Sequence, residues 1–180
     1  STNAGGSRVV RFGTMRAQVM GLQMVLADGS VVDESNGLPK ETAGPRLSNL
    51  VVGSEGTLAI ITAASMKLFP LPAAQRTAWA AVPSVQAAIE LLILSQQQLG
   101  AGLTGVEMMS QMSLGLVNKH FPTLQVPFWK HSPYCVLLEL SDTESEAHAE
   151  QRLEQLLELA LEKQIASDVV VAQSLAQSRE

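Results

Sequence analysis

Gly53-Ser54-Glu55-Gly56-Thr57-Leu58-Ala59-Ile60-Ile61-Thr62 decides how the first part of the chain is read. Small residues and hydroxyls come first, and the run from Thr57 to Phe69 that follows is apolar, rich in β-branched residues and free of Gly and Pro. Such a run reads as a bent strand of a core sheet, closed by Pro70-Leu71-Pro72. Leu50-Val51-Val52 leads into the glycine turn. Further upstream, Val19 to Ala27 is a second apolar run. Asp28-Gly29 and then Ser30-Val31-Val32-Asp33 follow it, which predicts a β-hairpin. Between the hairpin and the glycine turn, Glu34 to Ser48 contains Pro39, Gly44 and Pro45 and few large apolar residues, the pattern of a surface excursion.

From Thr77 onward the pattern alternates between strand and helix. Thr77 to Val82 predicts a strand, and Ser84 is placed to cap a helix with Val85, Ala88, Ile89, Leu92 and Leu99 as its apolar stripe, ended by Gly100. Leu103 to Val106 predicts a short strand. Met108 to His120 predicts a helix with Met109, Met112 and Leu116 on one face. Tyr134 to Leu140 is the clearest strand of this half. Thr143 and Glu146 have capping-box spacing, and Leu153, Leu156, Leu157, Ala160 and Leu161 form the stripe of the helix that runs to Lys163. Asp168 to Gln173 predicts a last strand, and Ser174 to Glu180 reads as the start of a further element. This order suggests an α+β layer with helices on one face of a sheet.

With 180 residues, 46% of them hydrophobic and 16% charged, the chain is able to bury a core. The apolar stretch Ala87 to Leu94 is broken by Glu90 and falls well short of the roughly 20 residues a membrane span requires. Residues 1–76 carry seven Lys/Arg against five Asp/Glu, whereas residues 77–180 carry five against twelve, which marks a boundary near Arg76. An acidic second half lacks the clustered cations that nucleic acid demands. The single Cys135 rules out an intramolecular disulfide and fits a reducing, cytoplasmic setting. Ser1-Thr2-Asn3-Ala4-Gly5-Gly6 has no initiator Met, basic segment or apolar segment, so a start inside a longer protein is expected.

Most of the chemically suggestive residues have an ordinary structural explanation. Glu146, Glu150, Glu154, Glu158 and Glu162 recur every four residues opposite the leucine stripe, as a solvated helix face does. His120, His131 and His148 lack ligand spacing, so no metal is assigned. Cys135 lies in an apolar strand without a basic neighbour, Trp79 and Trp129 suit core or edge packing, and Met108, Met109 and Met112 suit core filling. Two clusters stand apart: Asn3-Ala4-Gly5-Gly6 and Gly53-Ser54-Glu55-Gly56-Thr57. Each joins small residues, which let backbone approach a ligand closely, to side chains able to hydrogen-bond phosphate. Neither matches a Walker loop or a Gly-x-Gly-x-x-Gly fingerprint.

Taken in order and spacing, four motifs over residues 1–69 resemble one family. They are Ser1 to Gly6, Arg11-Phe12-Gly13-Thr14-Met15-Arg16, Gly21-Leu22 through Val25-Leu26-Ala27-Asp28-Gly29, and Gly53 to Thr62. The family is the FAD-linked oxidases and dehydrogenases of the vanillyl-alcohol-oxidase type, in the branch of D-2-hydroxyacid dehydrogenases acting on D-lactate, glycolate or D-2-hydroxyglutarate. The resemblance implies an α+β fold, with residues 1–72 as the C-terminal half of an FAD-binding domain of the PCMH type and residues 73–180 as a ferredoxin-like cap domain. The second half resembles the cap more loosely, through its strand and helix order. The resemblance departs at Lys40 to Leu47, where Pro45 and Arg46 replace an aromatic residue and an acid, and at Ala59, where glycine is usual.

Carried over by resemblance, Thr2, Asn3, Ala4, Gly5 and Gly6 would lie near the pyrophosphate and flavin of FAD, Gly13 and Thr14 would continue the wall, and Glu55, Gly56, Thr57, Ile60 and Ile61 would supply a second contact segment. The implied reaction oxidises a 2-hydroxyacid to a 2-oxoacid by hydride transfer to flavin and passes electrons to an acceptor the sequence does not name. The earlier glycine loop of the family would lie before Ser1, and its catalytic and metal-binding residues after Glu180. Neither a catalytic nor a metal residue is therefore assigned here. Exposed apolar sheet edges and self-association are expected of such a fragment. The competing reading is a non-catalytic interaction domain that keeps the fold without the flavin.

Overall fold

The computed structural model describes residues 1–38, 40, 44–124 and 126–172. Two compact units part between Pro70 and Leu71. The last expected segment, Ser174 to Glu180, lies outside the described residues, as do Pro39 and positions 41–43 of the surface excursion.

In the first unit a central strand, β1 (Val19–Leu26), pairs antiparallel with β2 (Val31–Asp33) on one side and β3 (Ala59–Met66) on the other. The hairpin turn forms at Asp28-Gly29, where Asp28 Oδ1 accepts from Ser30 N at 2.9 Å and Gly29 adopts φ +85°. The bend expected in the later strand is a break in the β1–β3 register between Gln23 and Met24. Leu22 and Met24, two apart on β1 and so on one face, are buried with Val51, Val52 and Ala59. The chain must also pass close behind β1. A Cβ at Gly21 would stand 2.0 Å from the Glu34 carbonyl oxygen, so only glycine fits there.

Three short helices of this unit were not legible in the sequence: α1 (Val9–Phe12), α2 (Met15–Gln18) and α3 (Leu47–Val51). The N-terminus of α3 is held from a distance. The Glu34 carboxylate accepts from Leu47 N at 3.1 Å and Ser48 N at 3.0 Å, supplying a cap that no local pattern reveals. Burial opposes the charge on Glu34, but these two backbone donors, with Arg46 nearby, hold its carboxyl below the usual range.

The second unit runs β4 (Ala74–Val82), α4 (Val85–Leu99), a 3₁₀ turn (Gly100–Gly102), β5 (Leu103–Ser110), α5 (Gln111–His120), β6 (Tyr134–Asp142), α6 (Glu146–Glu162) and β7 (Asp168–Val171). Its antiparallel sheet has the order β5-β6-β4-β7, which is the ferredoxin-like arrangement of two split strand-helix-strand halves with α5 between them. Ala78, Ala80 and Val82 of β4 form one core with Val136, Leu138 and Leu140 of β6 and with Leu91, Leu94, Leu153 and Leu156 of the helices. Each fully buried leucine contributes about 1.5–3 kcal/mol.

Several expectations for this unit need correction. The buried face of α4 carries Ala87, Ala88, Leu91, Leu94, Ser95 and Leu99, while Val85 and Ile89 are 44% and 46% exposed. Apolar residues surround most of this helix, so its period does not select a face and the sheet does. Met108 and Met109 belong to β5, paired with Val136 and Cys135, and α5 starts only at Gln111, where Ser110 Oγ accepts from Ser113 N. Its buried residue is Leu114, whereas Met112 is 77% exposed. The cap of α6 is Ser145, whose Oγ accepts from His148 N at 3.1 Å, not Thr143.

The reason for that shift is Asp142 at the end of β6. Its Oδ1 accepts from Glu144 N at 2.8 Å and from Ser145 N at 3.4 Å, which fixes the turn and delays the helix. Its Oδ2 meets His148 Nδ1 at 2.9 Å and Arg152 Nη1 at 3.6 Å. Arg152 in turn donates to the Gln98 and Leu99 carbonyls at the end of α4. One buried carboxylate thus joins β6, α6 and α4.

Candidate functional site

The candidate site lies in the first unit. After Ser1–Gly6 comes α1, and then Gly13 at φ +74° and extended Thr14 turn the chain into α2. That turn returns the chain to its start: Met15 N donates to the Ala4 carbonyl at 2.9 Å and Arg16 N to Asn3 Oδ1 at 2.8 Å. Residues 2–6 and 13–16 therefore form one folded piece.

The second glycine cluster follows α3, whose Val51 anchors it in the core beside Val52. Gly53 N donates to the Ser1 carbonyl at 2.8 Å, and Glu55 N reaches the same oxygen at 3.4 Å. Gly53, Glu55 and Gly56 adopt φ +93°, +53° and +86°. For Glu55, which has a Cβ, this left-handed conformation is costly, and such outliers concentrate where backbone is shaped for function. Thr57 closes the turn, its N–H and its hydroxyl both donating to the Ser54 carbonyl.

The two clusters, some fifty positions apart in sequence, thus lie edge to edge. Among the described residues the N–H groups of Gly5, Gly6 and Gly56 donate to no carbonyl, and Ser54 Oγ is shielded from solvent without a partner. A Cβ at Gly6 or Gly56 would meet nothing within 4 Å, so their surroundings are open. Thr2, Asn3, Ala4, Gly5, Gly6, Glu55, Gly56 and Thr57 are all exposed on this shelf, with Gly13 and Thr14 half-buried behind them. The remaining two expected residues diverge. Ile61 packs against the core of β1 and α3, and its neighbour Ile60 on β3 is 69% exposed on the opposite face of the strand.

Ser1, Arg16, Gly53 and Ser54 were missed as site residues, although each either joins the loops or offers a polar atom there. Gly53 and Ser54 carried a signal in the sequence, as the first glycine and a hydroxyl of their cluster. Elsewhere the structure favours packing. Cys135 is fully buried, which pushes its thiol up. Trp79 Nε1 donates to the Pro127 carbonyl, and Trp129 lies beside Gly115. The five glutamates of α6 are exposed, Glu146 pairing with Arg76 at 2.9 Å. No helix among the described residues is long and apolar enough to cross a membrane.

Known proteins resemble the chain along its length. Residues 71–180 match the family described as FAD linked oxidases, C-terminal domain. The chain is 36% identical over 151 residues to the mitochondrial D-2-hydroxyglutarate dehydrogenase of Rattus norvegicus, covering 84% of the chain and 28% of the relative. It is 35% identical over 179 residues to a mitochondrial Schizosaccharomyces pombe protein assigned as a D-lactate dehydrogenase, covering 99% of the chain and 34% of the relative. The chain therefore spans about a third of the length of these relatives. Both relatives are mitochondrial, so they lend no support to the cytoplasmic expectation. A solved structure of alkyldihydroxyacetonephosphate synthase superposes with TM-score 0.69 at 18% identity over 99% of the chain and 33% of that structure, a likeness of fold.

Proposed function

Because the chain belongs to the FAD-linked oxidases, we propose that its two joined glycine loops hold the dinucleotide in a protein that oxidises a D-2-hydroxyacid to a 2-oxoacid. Gly5, Gly6, Gly56 and Thr57 are the groups that would meet the cofactor, with Thr2, Asn3, Ala4, Gly13, Thr14 and Glu55 shaping the wall around them. Unspent N–H groups on open glycine backbone suit a diphosphate, whose charge they offset without a side chain between. The observation that carries this reading is the Ser1 carbonyl accepting from both Gly53 and Glu55, since it makes one surface of two distant segments.

When bound, the flavin supplies the hydride-accepting chemistry. This chain's share is binding and orientation. Asn3 and Ala4 spend their acceptors on Arg16 and Met15 and so stiffen the first loop, and Thr57 stiffens the second. The base that takes the hydroxyl proton is assigned to no residue of this chain, and the acceptor of the electrons is left to the full-length protein.

The test is anaerobic flavin reduction in the full-length protein with D-2-hydroxyglutarate, D-lactate and glycolate. Bleaching of the visible flavin band by at least one of them is expected. A flavin-loaded protein that none of them reduces would contradict the assigned substrate class.

A further inference from the structure

The peptide joining Val52 to Gly53 is held at both ends. Its N–H donates to the Ser1 carbonyl, and its carbonyl accepts from Arg16 Nη2 at 2.7 Å. Arg16 is also tied to the first loop, through its own backbone N–H on Asn3 Oδ1. The three residues are in close contact, because a Cβ added to Gly53 would lie 3.3 Å from Asn3 Cβ and 3.4 Å from Arg16 Nη2. One residue therefore grips the first loop with its main chain and the second with its side chain.

We propose that Arg16 is a positioning residue for the dinucleotide, setting the 52–53 peptide and thereby the turn that presents the unspent Gly56 N–H to the cofactor. This rests on the reading of the loops as an FAD cradle. The chemistry suits arginine. The Val52 carbonyl lies at the C-terminal end of α3, where carbonyls lack helical partners and cationic donors are favoured. A charge-assisted bond at that oxygen is stronger than a neutral one, and the planar guanidinium loses little freedom in making it. Arg16 is exposed, so its removal leaves no buried cavity.

The experiment is FAD titration of the full-length apoprotein, followed by flavin fluorescence quenching and the visible flavin spectrum, for wild type, R16A, R16K and R11A. Arg11 is exposed and lies over the Phe12 ring, so R11A removes a nearby positive charge without touching the peptide clamp. R16A is expected to weaken FAD roughly ten- to a hundredfold, the range for losing a bond to a charged group, to alter the bound-flavin spectrum and to leave apoprotein melting within a few degrees. R16K should restore part of the affinity, and R11A should bind like wild type. Wild-type affinity and spectrum in R16A would overturn the proposal, as would an equal loss in R11A. Failure of wild type itself to bind FAD would remove the cradle reading and this inference together.

Discussion

The Gly53 amide and the Ser1 carbonyl, 2.8 Å apart, join two segments that the sequence separates by more than fifty residues. The bond uses backbone atoms alone, so neither side chain announces it. What the side chains control is access: the missing Cβ of Gly53 is what allows Asn3 and Arg16 to close around the same peptide.

Replacing Gly53 with alanine tests that access. At φ +93° any L side chain is strained, and the added methyl would press on Asn3 and Arg16. G53A should destabilise the protein by about 1–3 kcal/mol in urea unfolding and weaken FAD binding more than it weakens folding. Unchanged stability and affinity would show that the loops are not packed as described.

Gly21 is the tighter constraint, and it concerns the fold rather than the site. An alanine Cβ there would fall 2.0 Å from the Glu34 carbonyl, a contact between backbone-anchored atoms that no rotamer relieves. G21A is expected to cost at least about 2 kcal/mol, in the range of overpacking a close contact. The same urea titration checks it, and loss of the Glu34 cap on α3 should accompany the change.

Acid sensitivity follows from Asp142. Burial opposes its charge, yet the Glu144 and Ser145 N–H groups and His148 together hold its carboxyl below the ordinary value of 3.8. A depressed folded pKa contributes stability that is complete above the unfolded value and disappears as pH falls through the folded one, so the loss should come below about pH 4. Glu34 works in the same direction. D142N should be less stable at pH 7 by about 1–3 kcal/mol, because its amide leaves Arg152 without the charge it faces, and its stability should vary less between pH 5 and pH 3. A variant that keeps the wild-type acid profile would place the sensitivity elsewhere.

Self-association is the expected behaviour of the chain by itself. Val31 on β2 and Ile60 on β3, the two edge strands of the first sheet, are 64% and 69% exposed. Open edges with apolar side chains invite pairing with another copy. Light scattering of the isolated chain should show concentration-dependent association, reduced in V31K. A monomer at high concentration would contradict it.

The parts of this structure that were legible in the sequence are those specified locally. The Asp28-Gly29 hairpin and the Ser84 cap each depend on neighbours within a few residues, and the strand at Tyr134 is marked by its own apolar run although its ladder partners are distant. What escaped depends on long-range partners. Met108 and Met109 have helical spacing, but β6 supplies them with ladder partners. Thr143 has capping-box spacing, but Asp142 fixes the turn first. In the site, the glycines were legible because small residues in clusters imply close approach. Arg16 was not, since its role lies in one bond to a carbonyl thirty-six positions away. Ile60 and Ile61 were grouped by resemblance, and strand alternation separates them.

The most direct measurement of the central claim is backbone amide exchange in the full-length protein, with and without FAD, read at residues 1–6 and 53–57. A shared cradle predicts that FAD slows exchange at Gly5, Gly6 and Gly56 together. Protection confined to one loop, or absent from both while FAD is bound, would contradict it.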